Sequence, residues 1–72
     1  MLDWVPVTES SLVAACAYDE AAERIFVQFH SGTVWQFENC SREMWRPLTI
    51  PGTSKGRYVQ DVLSRQVHHA VG

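Results

Sequence analysis

Ser54-Lys55-Gly56-Arg57 is the stretch of this sequence with the clearest capacity for chemistry. A serine that caps a helix leaves the next amides pointing outward at the positive end of the helix dipole. Two cationic side chains flank those amides, and glycine lets a ligand approach the backbone closely. That combination suits an anion or a phosphate group. It is not a Walker loop, which needs a longer glycine-lysine pattern after a buried strand. The plainer alternative is a capped helix start whose charges face water.

Arg42, Arg46 and Arg65 extend the basic character of this half. Residues 40–72 carry five bases against Glu43 and Asp61, whereas residues 1–39 carry six acids against Arg24 alone. An uneven split of this kind can give an acidic protein one basic face. The net charge of -2 argues against tight, non-specific duplex binding, which draws on many phosphate contacts.

Other chemistry-bearing residues point elsewhere. Cys16, Cys40 and the three histidines lack the spacing of a zinc site or a nucleophilic pair, and His68-His69 falls in a segment expected to fray. The cysteines read as small buried hydrophobes of a reducing compartment. Asp19, Glu20 and Glu23 share one turn and form no acid/base pair. No catalytic residue, metal or cofactor is therefore assigned.

The elements that position these residues follow from periodicity. Leu12–Tyr18 is an apolar run, and Arg24–His30 alternates, with Ile25, Val27 and Phe29 on one side. Thr33–Glu38 is the third strand. A two-residue turn at Ser31-Gly32 would mix apolar and polar residues on both faces. A three-residue turn, His30-Ser31-Gly32 with glycine left-handed, pairs Phe29 with Thr33, Val27 with Trp35 and Ile25 with Phe37. One face then becomes almost wholly apolar, so the three-residue turn is predicted. It also buries Trp35 and Phe37, which on an open sheet would stack bases. Phe26, Val34, Gln28 and Gln36 are left on the opposite face, a modest patch suited to self-association or a protein partner. A free sheet edge offers the same opportunity.

The second half reads as helical. Ser41 caps a short helix that Pro47 ends, Pro51-Gly52-Thr53 is a break, and Ser54 opens a second helix running toward Val67. Trp4 and Trp45 are read as packing residues. The fold class expected is α+β: a three-stranded antiparallel β-meander followed by two helices packed on one sheet face, βββαα. The 72 residues suffice for one domain, with its core in residues 7–66. No run is long and apolar enough to span a bilayer, so a cytoplasmic setting is expected.

In this order the residues resemble the KTSC domain, a family found at the C-terminus of some lysyl-tRNA synthetases and as free-standing bacterial and phage proteins. The resemblance rests on Ser10-Ser11-Leu12, Tyr18-Asp19, Ile25, Val27, Phe29, Gly32 and Ser54-Lys55-Gly56-Arg57-Tyr58. Trp35-Gln36-Phe37 stands where the family has tyrosine-x-tyrosine, and Cys40-Ser41 where it has valine-proline. Both central hydroxyls are thus absent here. The resemblance covers residues 7 to about 64 and implies no settled activity, although RNA binding has been suggested for the family. Two function classes are carried forward. The first is a non-catalytic module binding RNA or a nucleotide at Ser54, Lys55, Gly56 and Arg57. The second is a protein-binding or homo-oligomeric module using the Phe26/Val34 face or a sheet edge.

Overall fold

The computed structural model describes residues 2–71. Its sheet has five antiparallel strands in chain order: β1 Val5–Pro6, β2 Val13–Asp19, β3 Arg24–Phe29, β4 Val34–Phe37 and β5 His68–Ala70. The expected meander forms its centre. Two further strands, one at each edge, correct the count of three. β1 was invisible because two residues containing a proline carry no periodicity. β5 was hidden because helical spacing seemed to run on to Val67.

The β3–β4 hairpin has the predicted register. Ile25 lies opposite Phe37 and Val27 opposite Trp35. The Phe29 amide donates to the Thr33 carbonyl at 2.9 Å, and the Gly32 amide to the Phe29 carbonyl at 2.9 Å. Gly32 has φ +98°, a backbone geometry that side chains disfavour, which is why glycine closes this turn. In β2 a register shift between Val13 and Ala15 lets Val13 face the core while Ala15 and Ala17 face the other way.

Between the sheet and the helical layer lies one apolar cluster. Val13, Cys16, Ile25, Val27 and Phe37 from the sheet meet Leu48, Val59 and Leu63 from the helical half. α1 spans Arg42–Trp45 and passes into a 3-10 turn at Arg46–Leu48, so Pro47 shortens the helix as expected. Ser41 takes the cap position without a side-chain cap bond. α2 spans Lys55–Asp61 and passes through a second 3-10 turn, Leu63–Arg65, into β5. Val67 is therefore not helical. Two tyrosine hydroxyls tie the elements together: Tyr18 of β2 donates to the Cys40 carbonyl just before α1, and Tyr58 of α2 to the Met44 carbonyl of α1, each at 2.8 Å. Tyr18 also stacks on Trp45 at 5.5 Å, and Trp4 is 42% exposed, outside the buried cluster.

Candidate functional site

Ser54, Lys55, Gly56 and Arg57 line a cleft of about 440 Å³ whose opposite wall is Glu9-Ser10-Ser11-Leu12. Two segments 40-odd positions apart in sequence thus meet. Ser54 Oγ accepts from the Arg57 amide at 3.4 Å, so the predicted cap is present. The Lys55 side chain, however, is only 4% exposed. Its Nζ donates to Glu9 Oε1 at 2.6 Å and to the Ile50 carbonyl at 2.7 Å. The ammonium is thereby committed inside the fold, where it pins the segment before β2 to the loop before α2. The Lys55 hydrogen bond, reinforced by its charge, holds the Glu9 carboxyl below its ordinary range.

Gly56 faces the opposite wall. A Cβ built there would stand 3.4 Å from Leu12 Cβ and Cδ2, and 3.7 Å from Ser10 Oγ. Those are ordinary contact distances, so α2 packs against the Ser10–Leu12 turn at Gly56 without needing glycine there. That turn is held by Ser10 Oγ, which accepts from the amides of Leu12 at 3.2 Å and Val13 at 3.0 Å. Arg57 remains at the cleft mouth, exposed, with its Nε 3.9 Å from Asp61 Oδ2.

The wider basic surface is largely paired. Arg42 contacts Glu20, and Arg57 and Lys55 face the carboxylates just named. Among the described residues no carboxylate lies within ion-pair reach of Arg46 or Arg65. The two exposed pairs, Arg42–Glu20 and Arg57–Asp61, are weak and do open.

The thiols lie inside the fold. Cys16 and Cys40 are free and buried, and burial pushes the Cys16 thiol up to about 11. Burial also raises the Cys40 thiol. Phe37 is buried as expected, while Trp35 is only half-buried. His68 lies against both aromatic rings, with centroids 5.4 Å away in each case. Neither ring is a free platform for a base.

The opposite sheet face presents a different surface. The strand registers place Ala15, Ala17, Phe26, Gln28, Val34, Gln36 and His69 together, with the apolar cluster and both helices on the far side. Ala17 is fully buried and Gln36 is 8% exposed, while Ala15, Phe26, Gln28 and Val34 are half-buried by their neighbours. Charged side chains appear only at one end, where Asp19 pairs with Arg24 and where Glu38 lies 3.8 Å from His69. Sequence reading found Phe26, Val34, Gln28 and Gln36 but missed Ala15, Ala17 and the whole of β5. The alanines are silent in a pattern search, and β5 needs β4 beside it to be seen.

No helix among the described residues is long and apolar enough to cross a membrane, and no three of their His, Cys, Asp or Glu side chains cluster to hold a metal ion. A comparison with curated proteins finds no match. Among solved structures, the crystal structure of a KTSC domain protein from Yersinia pestis superposes with a TM-score of 0.88. The two share 20% identity, and the match covers 100% of each chain, a likeness of fold. The family model for the KTSC domain matches residues 9–66, which contain both walls of the cleft and the three central strands. The chain belongs to the KTSC domain family.

Proposed function

We propose that this domain is a non-catalytic protein-interaction module that works through its sheet: the uncovered face around Phe26 and Val34, with the edge beside it. The observation that carries this reading is the absence of charge at the centre of that face. Solvated faces of antiparallel sheets are usually polar, and depletion of charge at the centre of a patch is the compositional mark of an interface. Between the charged end at Asp19, Arg24 and Glu38 and the hairpin, four adjacent strands contribute alanine, phenylalanine, valine, glutamine and a histidine. The setting assigned is the cytosol, where two unpaired buried cysteines stay reduced. Sedimentation velocity over a wide concentration range tests the reading. The wild-type chain is expected to associate as concentration rises, and Phe26→Asp to remain monomeric with a folded circular dichroism spectrum. Association that Phe26→Asp leaves untouched places the contact at the edge and not on the Phe26 face, and no association at all contradicts the reading.

The convergence of Ser10–Leu12 on Ser54–Arg57 favours a second reading, a cleft for RNA or a nucleotide. Its donors are the Ser11 and Ser54 hydroxyls, the first α2 amides and the Arg57 guanidinium, with Arg46 and Arg65 as outlying cations. Lys55 serves there as a strut and not as a ligand-facing charge. Titration with nucleotides and RNA at low salt separates the two readings. Arg57→Ala should abolish binding if the cleft is the site, and binding indifferent to that change removes it.

A further inference from the structure

The edge formed by β5 carries a more specific statement, one that rests on the sheet-mediated reading above. The Glu38 amide donates to the Val67 carbonyl at 2.8 Å, and the Val71 amide to the Val34 carbonyl at 2.9 Å. Opposed residues in this ladder are Phe37 with His68, Gln36 with His69 and Trp35 with Ala70. Because antiparallel hydrogen bonding alternates residue by residue, Val67, His69 and Val71 turn their main chain toward β4. His68 and Ala70 turn theirs outward. The edge therefore offers two amides and two carbonyls with no strand beside them.

Nothing on β5 protects this edge. The other edge, β1, is two residues long and contains Pro6, a usual device against strand addition. β5 has no proline, lysine or bulge, and all three of its residues are exposed. Two valines that continue the ladder at either end, Val67 and Val71, are 63% and 41% exposed. By alternation they share the uncovered sheet face with His69.

We propose that β5 pairs antiparallel with β5 of a second copy of this chain, about a two-fold axis at His69. The register follows from the edge itself. His68 faces the partner's Ala70, and Ala70 faces the partner's His68, so all the outward amides and carbonyls find acceptors and donors. The same register sets Val67 against the partner's Val71, and Val71 against the partner's Val67. These are the close, non-hydrogen-bonded positions at which apolar cross-strand pairs contribute most. A self-pairing edge is the occupant this surface fits, because a single register satisfies both the backbone and the two exposed valines. The two five-stranded sheets become one, and the uncharged faces lie side by side. A five-residue contact is small, which places the association in the weak, transient class.

Cysteine cross-linking tests the register. His69 falls opposite its own copy at a close pair position, where Cβ separations suit a disulfide. The native cysteines are buried and do not interfere. Under mild oxidation His69→Cys is expected to form a linked dimer about tenfold faster than Gln28→Cys at equal concentration, given that each 1.4 kcal/mol of pairing is worth that factor. Adding Ala70→Pro should suppress the link, because it removes only an outward amide and leaves the β4 ladder intact. Should Ala70→Pro fail to fold, Val67→Lys with Val71→Lys serves the same purpose without touching the backbone. Equal rates for the two cysteine variants overturn the proposal, as does linking that neither blocking change reduces. If Phe26→Asp abolishes association while His69→Cys fails to link, the edge register falls and the sheet-mediated reading stands. If neither variant has an effect, both fall.

Discussion

Lys55→Ala is expected to destabilise the fold by about 3 kcal/mol, since truncating a side chain that is only 4% exposed leaves a gap where its stem packed and removes both of its hydrogen bonds. In a domain of this size that lowers the melting temperature by roughly 15 °C. The reasoning is local. Lys55 is 4% exposed and holds Glu9 Oε1 and the Ile50 carbonyl at once. Glu9 is half-exposed and turns to water when the lysine is gone, but the Ile50 carbonyl loses its donor and the lysine stem leaves a gap. Lys55→Met, which fills the gap, should lose distinctly less. Chemical denaturation of the three chains measures the difference. The same pair gives a signed pH dependence. Glu9 sits below its ordinary value of 4.5 in the folded chain, so its contribution is present above that value. It is lost as the pH falls through the lowered folded value, and Glu9→Gln should flatten that acid limb.

Leu63→Ala should cost a similar amount, about 3 kcal/mol, within the usual span for burying-site leucine truncations. Leu63 is fully buried at the end of the helical layer, in the cluster it shares with Ile25, Val27 and Leu48. Phe26→Ala, on the other side of the same sheet, is expected to change stability by well under half of that, because Phe26 lies outside the cluster. Thermal denaturation of the two variants side by side shows which face of the sheet is the core. Equal losses would mean that the Phe26 face is structural, and the interaction reading would lose its surface.

The central hairpin was legible because register is a strong constraint. A slip of one residue would have turned Val27 and Ile25 to solvent, and only the three-residue turn ending at Gly32 avoids it. The helix start at Ser54 was legible from its cap chemistry. The fate of Lys55 was not, because its partner Glu9 lies 46 positions away and neither residue belongs to a local pattern. Gly56 likewise reads as a point of ligand approach, and only the structure shows Leu12 bordering it at contact distance. β5 shows the limit most plainly. His68-His69-Ala70 has no strand-like composition, and Val59, Val62, Leu63 and Val67 match a helix well enough to hide the turn at Leu63–Arg65. Tertiary pairing with β4 decides that segment, not its own propensity.

The claim that this domain acts through its sheet and not through its helix-start cleft can be put to one measurement, amide NMR spectra across a dilution series. The account predicts concentration-dependent shifts at Phe26, Gln28, Val34, Gln36 and the run Val67–Val71, with Ser10–Leu12 and Ser54–Gln60 unmoved. Shifts confined to those two cleft segments, or spectra that do not change with concentration, would contradict it.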